Sequence, residues 1–470
     1  MTLGVEMRVE DKLKSARLLS PAQVIDQVRQ SPSARVKVAV SDIDGVLRGK
    51  YLSKYKFLDS IDNGFGFCNV VFGWDSSDNC YDNSRWTGWH TGFPDAQAHI
   101  DLSTFRRIPW DDDIPFFLAD FKLADGKPLP VCPRQVLKRV LKRAADMGFK
   151  IMTGIEIEWF NFAETPKSFA EKGYIRPEPI TPGMFGYSLI RMNQNQPFFK
   201  ALMEELPKFD IPIESMHTET GPGVYEAAIQ YSEALESGDR AILFKLAAKE
   251  IGNRFGIMPS FMAKWSQHYP GCSGHIHQSL TNAEGSDNLF YDSHAPGQMS
   301  TLFQSYLAGQ LAYMAEFQPL YAPTVNSYKR LVDGYWAPVK SCWGFDNRTA
   351  SFRVITGTSQ LTRLETRCPG ADVNPYLALA ASISAGLAGI EKGLKLTDAP
   401  ITGDAAGLEK IPHFARNLQD ATANMKQSGL ARDWFGDVFV DHFIQTREWE
   451  WRQSQDAVTD WELKRYFEII

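Results

Sequence analysis

Apolar residues in the first quarter of the chain fall into short runs that predict β-strands. The stretch VKVAVSDIDGVLRGKYL (36–52) has two such runs around an Asp-Gly turn. The stretch FGFCNVVFGWDSSDNCYD (65–82) starts as a strand and continues as a polar loop. The Pro- and Gly-rich run ADGKPLPVCP (124–133) then predicts a domain boundary near residue 130. We therefore expect one domain over 1–130 and a second over 131–470.

The pattern after this boundary alternates between helix and strand. Pro133 suits the first turn of a helix that ends before Gly148, and its apolar stripe is formed by Val136, Leu137, Val140, Leu141 and Ala144. The stretch KIMTGIEIEWF then alternates as a strand does. Further helices are predicted over 197–206, 239–255 and 374–392, and further strands over 224–229, 274–280, 351–355 and 363–368. Residues 164–188, rich in Pro and Gly, are either a mobile loop or a plain surface excursion.

Composition and charge narrow the class of protein. The chain has 470 residues, which is too long for one ordinary core, with 44% apolar and 23% charged residues. A net charge of −6 excludes a basic nucleic-acid-binding surface. No apolar run is long enough for a membrane span, and the N-terminus carries charges where a signal peptide is apolar. Six scattered cysteines without a C-x-x-C pair indicate a reduced, cytoplasmic protein.

Two acids lie on the same face of one predicted strand. In the segment GIEIE, Glu156 and Glu158 alternate with isoleucines. Carboxylates this close repel each other unless a cation, a shared proton or water lies between them. An exposed strand face would place them in water, so the pair alone does not decide between a site and a surface.

Three other stretches bring together residues of the same kind. His275 and His277 form an H-x-H pair that suits a metal, a phosphate or simple solvation. Glu219 and Glu226 flank a Gly-Pro-Gly turn that can bring both acids to one place. The strand TRLETRC puts Glu365 between two arginines, as in a salt-bridge ladder or in a metal ligand beside anion-binding groups.

Taken together, these patterns predict a site for divalent ions and phosphate. Oxygen-rich ligation with at most one imidazole per ion suits Mg²⁺ or Mn²⁺. Arginines beside such ions suit phosphoryl groups, on whose oxygens charge develops during transfer. The residues thus favour a two-metal phosphoryl-transfer site. A hydrolase with His275 and His277 as a metal pair is the rival interpretation, but it leaves the arginines unused.

The same stretches, in this order, resemble the type I-like glutamine synthetase family. The segments that carry the resemblance run from about residue 36 to 392 and include GIEIEWF, HTETGPGVYE, SGHIHQSL, NSYKRLVDGYWAPV, NRTASFRV and RLETRCPGADVNPYLALAASISAGL. The resemblance implies an α+β protein with an N-terminal β-grasp domain and a catalytic domain built on a curved antiparallel sheet. It also implies a hexameric or dodecameric ring with sites between subunits.

The resemblance also implies a role for each site residue. Two or three Mg²⁺ or Mn²⁺ ions are expected per site, one held by Glu158, Glu219 and Glu226 and another by Glu156, His275 and Glu365. The phosphates of ATP would contact His277, Arg348 and Arg353, with Arg348 also catalytic. Glutamate would contact Gly271, Arg330 and Arg367, with Arg367 also holding the transferred phosphoryl group. Asp75 would reach a neighbouring subunit's site as the base. The implied chemistry is formation of an acyl phosphate from glutamate and ATP, followed by attack of a nitrogen nucleophile.

Three departures from the family pattern bear on the substrate. Trp336 stands where ammonia-using members have a glutamate that binds ammonium, and Pro270 stands where an asparagine usually contacts glutamate. No tyrosine-bearing segment like the adenylylation loop follows residue 392. An indole adds apolar surface that suits an organic amine rather than ammonia. The expected function is therefore a glutamate–amine ligase for a hydrophobic monoamine. A polyamine ligase, a plain glutamine synthetase and a non-catalytic relative remain as alternatives.

Overall fold

The computed structural model describes residues 19–470, which form two β-sheets surrounded by helices. The first sheet has six strands in the order β2-β1-β6-β4-β3, with β5 paired to β6. β1 is antiparallel to β2 and parallel to β6. The strands are β1 (Arg35–Ser41), β2 (Leu47–Ser53), β3 (Phe65–Cys68), β4 (Asp95–Ile100), β5 (Arg106–Ile108) and β6 (Ile114–Lys122).

The second sheet is curled and has nine strands in the order β13-β14-β15-β12-β7-β9-β8, with β10 and β11 paired to β7. All its pairs are antiparallel except β13 with β14. The strands are β7 (Phe149–Phe162), β8 (Ile213–Thr218), β9 (Val224–Ile229), β10 (Ser232–Glu233), β11 (Met258–Ser260), β12 (Gly274–Asn282), β13 (Trp343–Phe345), β14 (Phe352–Ile355) and β15 (Arg363–Thr366).

Helices cover the outer faces of both sheets. In the described chain the α-helices are α1 (Pro21–Gln30), α2 (Lys54–Asn63), α3 (Pro133–Asp146), α4 (Pro166–Glu171), α5 (Leu189–Gln194), α6 (Gln196–Glu205), α7 (Ala234–Asn253), α8 (Thr301–Tyr321), α9 (Ser327–Arg330), α10 (Pro375–Glu391), α11 (Leu418–Lys426), α12 (Gly429–Phe435), α13 (Asp437–Asp456) and α14 (Asp460–Tyr466). α10 is nearly all buried and packs closely on α8. Gly389 permits this close approach, because a Cβ at that position would overlap the carbonyl oxygen of Ser305 on α8.

The two sheets share a core through β6, which is buried on both faces. Phe116 and Leu118 pack into the large core of the second sheet. Phe117 and Phe121 face the other way and form a smaller core. A strand alternates its side chains between its two faces, so one strand serves both cores. The proposed boundary at residue 130 falls between the two sheets, yet the hydrophobic packing continues across it.

The expected α+β fold is confirmed, as are most of the predicted elements. α3 begins at Pro133 and buries the predicted stripe, with only Leu141 partly exposed. The Asp-Gly turn joins β1 to β2. Residues 164–188 contain one short helix, α4, rather than loop alone. The helices α1, α2, α5, α8, α9 and α11 to α14 were not predicted. α8 has apolar residues almost all round, so its sequence carries little helical periodicity.

Within residues 19–470, no helix is both long enough and apolar enough to cross a lipid bilayer. The predicted lack of a signal peptide at the N-terminus lies outside the described residues and stays a prediction.

A buried arginine on α3 links elements of both sheets. Arg134 is 3% exposed and donates to Asp239 on α7 through two hydrogen bonds, of 2.8 and 2.9 Å. Its remaining nitrogen donates to Asp120 on β6 at 2.9 Å and to Asp101 at 2.8 Å. Because these acids are taken out of water, they depend on this guanidinium for their stabilisation.

We predict that Arg134→Gln destabilises the fold by about 3–5 kcal/mol, because it leaves Asp239 buried without a cation. The measurement is the urea midpoint and the melting temperature. The control is Arg29→Gln, which removes an exposed ion pair with Asp26 and should cost about 0–1 kcal/mol. Equal effects of the two substitutions would contradict this account.

Candidate functional site

Strand register places four of the predicted acid and imidazole groups side by side on the second sheet. Glu156 on β7 lies opposite His275 on β12, and Glu158 on β7 lies opposite Glu226 on β9. Glu156 and Glu158 are two residues apart and therefore share one face. Both neighbouring strands present their polar residues to that same face. The exposed-strand interpretation of the E-x-E pair is therefore wrong for this chain.

The strand on the other side of β12, β15, adds a carboxylate that arginines surround. Glu365 on β15 is fully buried and lies opposite His277 on β12 and Arg353 on β14. Arg353 donates to one oxygen of Glu365 at 2.7 Å, and Arg367 donates to the other. The Nδ1 atom of His275 is 3.5 Å from Glu365. Of the salt-bridge ladder that the sequence offered as one alternative, only the pair of Glu365 with Arg367 is present among the described residues. Arg353 takes the place expected for Arg363, which donates to His277 instead.

Most of the predicted site residues line one open cavity of about 410 Å³. The predicted residues that line it are Glu156, Glu158, Glu219, Glu226, Pro270, Gly271, His275, Trp336, Arg348, Arg353, Glu365 and Arg367. They come from segments more than 200 residues apart, so the fold assembles the site from the whole second domain.

Three predicted residues lie outside this cavity lining. Arg330 is 2% exposed and donates to the carbonyl oxygens of Cys368 and Pro369, both at 2.8 Å. His277 lines an adjoining cavity. Asp75 lies in the first domain, where it accepts a hydrogen bond from the indole of Trp449 at 3.2 Å. It lines neither cavity of its own chain.

Gly271 brings Arg330 next to the cavity. A Cβ at Gly271 would come within 2.6 Å of the Cγ atom of Arg330, so a side chain does not fit there. The Nη1 atom of Arg330 is buried and has no hydrogen-bond partner among the described residues. A buried guanidinium with a free donor is suited to an anionic ligand.

A second cavity, of about 510 Å³, adjoins the first one at Glu156. His277, Arg363 and Tyr231 are among the residues that line it. The Nε atom of Arg363 donates to Nδ1 of His277 at 3.1 Å, which fixes the orientation of the imidazole. The two cavities together provide room for two ligands that would meet at Glu156, while the other glutamates of the cluster line the smaller cavity.

Three groups of side chains have ligand atoms within 4.8 Å of one another, close enough to hold a metal ion. The groups are Glu156 with His277 and Glu365, Glu156 with Glu226 and His275, and His217 with Glu219 and Glu226. Glu158 is in none of them, and its carboxylate accepts a hydrogen bond from the Ser273 N–H at 2.6 Å. The predicted division of ligands between two ions therefore stays a prediction.

The electrostatics of this cluster fit a bound cation. Burial, followed by repulsion from Glu158, Glu156, Glu219 and Glu365, raises the pKa of Glu226 well above its usual value. Burial also acts to raise the pKa of Glu365, but the arginines and imidazoles around it lower the pKa to about 2. The side of the cluster near Glu226 thus has more negative charge than the nearby cationic side chains neutralise. A divalent ion bound there would neutralise the excess.

The comparisons with known proteins agree with this geometry. Residues 130–466 match the family described as glutamine synthetase, catalytic domain. The chain belongs to the glutamine synthetase family. It is 52% identical to type-1 glutamine synthetase 2 of Dictyostelium discoideum, over 98% of this chain and 88% of that protein. It is 36% identical to glutamate–isopropylamine ligase of Pseudomonas sp, over 95% of this chain and 98% of that protein.

A solved structure shares the fold over nearly the whole chain. The complex of GmaS with ADP matches with a TM-score of 0.83 and 26% identity, covering 94% of this chain and 99% of that one. The resemblance read from the sequence is therefore confirmed, and the chain is a glutamine synthetase-like, ATP-dependent ligase. Members of this family act on small molecules and use divalent metal ions, and the clusters described above contain suitable ligands for such ions.

Trp336, on which the expectation of an organic amine depends, borders the cavity in this ligase. The indole is 63% exposed and lies next to Tyr335, which also lines the cavity. The backbone of Trp336 has a φ of +62°, a left-handed conformation that is rare for bulky residues. Such strain persists where surrounding contacts fix it, and it is frequent at ligand sites.

The residue-by-residue interpretation of the sequence missed three aromatic groups at the cavity, namely Tyr187, His217 and Tyr335. His217 lies 3.1 Å from Glu219, and its ring stacks on Tyr187 with centroids 4.4 Å apart. The H-x-E spacing on β8 is the signal that would have found His217, because it repeats the alternation of Glu156 and Glu158. Tyr187 lies in an irregular segment, and no periodic pattern marks it.

We predict that Mn²⁺ raises the melting temperature of the ligase. Binding to the folded state alone should add about 2.7 kcal/mol of stability when free Mn²⁺ is 100 times its Kd. Glu226→Gln removes a ligand oxygen from two of the three groups and should abolish most of this shift. Without metal the variant should melt close to wild type, because the amide resembles the protonated acid.

The control for this measurement is Glu171→Gln, an exposed glutamate on α4, which should keep the full Mn²⁺ shift. A Glu226→Gln protein that is stabilised by Mn²⁺ as strongly as wild type would contradict the assignment of the cluster.

Proposed function

We propose that the ligase joins the γ-carboxylate of glutamate to an organic amine, forming ADP, phosphate and a γ-glutamyl amide. The preferred amine is a hydrophobic alkyl or aromatic monoamine rather than ammonia. The observation that carries this proposal is Trp336 at the edge of the acidic cavity. The similarity to a glutamate–isopropylamine ligase supports it as well.

ATP would occupy the larger cavity, with its phosphates directed toward Glu156, which lines both cavities. His277 in the larger cavity and Arg348 and Arg353 in the smaller one would hold these phosphates. Glu156, Glu158, Glu219, Glu226, His275 and Glu365 would hold the divalent ions. Those ions would neutralise charge on the phosphoryl oxygens during transfer.

Glutamate would lie in the smaller cavity between Gly271 and Arg367. The free donor of Arg330 is suited to a carboxylate of glutamate, and Arg367, which lines this cavity, would hold the transferred phosphoryl group. The γ-carboxylate attacks the γ-phosphorus of ATP and ADP leaves. The amine nitrogen then attacks the acyl carbon of the resulting γ-glutamyl phosphate, and inorganic phosphate leaves.

The amine would approach past Trp336. An alkyl or aryl group that covers part of the exposed indole gains about 25 cal/mol per Å² of apolar area, whereas ammonia has no such area to cover. The nitrogen must lose a proton, and Asp75 of a neighbouring subunit would accept it. A hexameric or dodecameric ring with sites between subunits is part of this proposal, since Asp75 does not line the cavity of its own chain.

Plain glutamine synthesis is the second candidate. The 52% identity to a type-1 glutamine synthetase favours it. Trp336 argues against it, because an indole cannot attract ammonium as strongly as a carboxylate does. A polyamine ligase would need acids that bind the distant ammonium groups of its substrate. The acids of the cavity would already be occupied with the divalent ions.

The test is ADP release from ATP, Mg²⁺ and glutamate with a panel of acceptors. The panel contains ammonia, methylamine, isopropylamine, ethanolamine, aniline, benzylamine, putrescine and spermidine. We expect one of the hydrophobic monoamines to give a kcat/KM at least about tenfold above that of ammonia, a difference of roughly 1.4 kcal/mol. Turnover with ammonia alone would refute the proposal.

The role of the indole is tested by Trp336→Glu. We predict that the ratio of kcat/KM for the best amine to that for ammonia falls about tenfold or more, because the variant loses apolar surface and gains a site for ammonium. The control is Trp89→Glu, which replaces another exposed tryptophan away from the cavity. An unchanged ratio in Trp336→Glu would mean that the indole does not contact the amine.

A further inference from the structure

Lys264 is a buried cation beside the site that none of the roles above uses. Lys264 lies four residues after the end of β11 and is 6% exposed. Its Nζ atom has no hydrogen-bond partner among the described residues. Asn326 fixes the backbone of Lys264 by accepting from its N–H and donating to its carbonyl oxygen, both at 2.8 Å. The backbone of Lys264 is therefore fixed, and its side chain lies in a buried place where water solvates the ammonium group poorly.

The ring of Tyr335 provides the compensating contact. Nζ of Lys264 lies 4.0 Å from the centroid of this ring. The negative face of an aromatic ring attracts a cation most strongly when the cation has lost its water. Burial and the positive charge of Arg330 lower the pKa of Lys264, which agrees with an ammonium that no carboxylate neutralises.

This contact acts on the loop that carries Trp336. In the described chain, residues 333–338 lie outside any helix or strand, and residues 333–336 form a turn. Gly334 and Trp336 both have left-handed φ values, of +82° and +62°. A loop that has a strained backbone and lies outside any helix or strand depends on its side chains to keep one conformation. Tyr335 lies between these two positions.

We propose that Lys264 is a positioning residue, whose ammonium holds the Tyr335 ring and thereby orients Trp336 toward the amine. The inference rests on the proposed function for the part that concerns amine selection. The anchoring of the loop itself does not depend on which amine is used. Lys264 thus becomes a determinant of acceptor specificity, acting through Tyr335 without a bond to the substrate.

A direct contact with glutamate is the competing role for Lys264. The neighbouring carbonyl of Ala263 and the side chain of Arg330 both approach Gly271, where glutamate is expected. A lysine that binds glutamate would control the KM for glutamate, whereas a lysine that positions the loop would control the KM for the amine. Kinetics with both substrates separates the two roles.

The test uses the full chain, with isopropylamine as the amine probe. Lys264→Met and Tyr335→Leu should each raise the KM for isopropylamine about 2- to 30-fold. The KM values for glutamate and ATP should stay near wild type. The double variant should be no worse than the more affected single variant, because both changes remove the same contact. Lys329→Met, a neighbouring exposed lysine, is the matched control.

Hydrogen exchange of the peptide that covers 331–339 supplies a readout that is independent of amine preference. Exchange should be faster in Lys264→Met and Tyr335→Leu than in wild type. Exchange should keep the wild-type rate in Lys264→Arg, which keeps a cation, and in Tyr335→Phe, which keeps the ring face. If Lys264→Met fails to fold, the contrast between Tyr335→Leu and Tyr335→Phe still decides the question.

Three results would overturn the inference: a rise in the KM for glutamate equal to that for isopropylamine, additive effects in the double variant, or unchanged exchange in the loop. A wild-type preference for ammonia with faster loop exchange in Lys264→Met would refute only the amine assignment and would leave the anchoring role standing.

Discussion

The concentration of carboxylates in one cavity is the constraint on which the rest of the structure depends. Five glutamates from four different parts of the second sheet face the same space. Their mutual repulsion is too costly to bury without cations. The chain supplies part of that charge through Arg353, Arg367 and two histidines around Glu365. It leaves the side near Glu226 undercompensated, and this imbalance is what makes the cavity suitable for divalent ions and for the phosphates that accompany them.

Strand alternation explains why so much of this site was predictable. Glu156 and Glu158, His275 and His277, and Arg363, Glu365 and Arg367 all follow a period of two, so the sequence shows which side chains share a face. The sequence alone does not show which strands are neighbours, and the order β15-β12-β7-β9 is what unites the four segments. The family resemblance implied a curved antiparallel sheet but not this strand order, which comes from the structure.

Other features depend on tertiary contacts and could not be predicted from the sequence. α8 is apolar on most sides because it is buried between other elements, so its periodicity was too weak to predict a helix. Tyr187 reaches the cavity from an irregular segment. Lys264 looks like any surface lysine in the sequence, and only its burial beneath Tyr335 sets it apart. The proposed boundary near residue 130 falls between the two sheets and stays a prediction, because β6 contributes to both cores and the packing does not divide there.

We propose that the choice of nucleophile is made at the loop that carries Tyr335 and Trp336, separate from the acids that would serve phosphoryl transfer. The most direct measurement is a competition in which the ligase receives ATP, Mg²⁺, glutamate, ammonia and isopropylamine together, with the two nitrogen sources at equal concentration. The products are then quantified by mass spectrometry. The account predicts that γ-glutamylisopropylamide exceeds glutamine. Glutamine as the main product would contradict it and would assign Trp336 to packing alone.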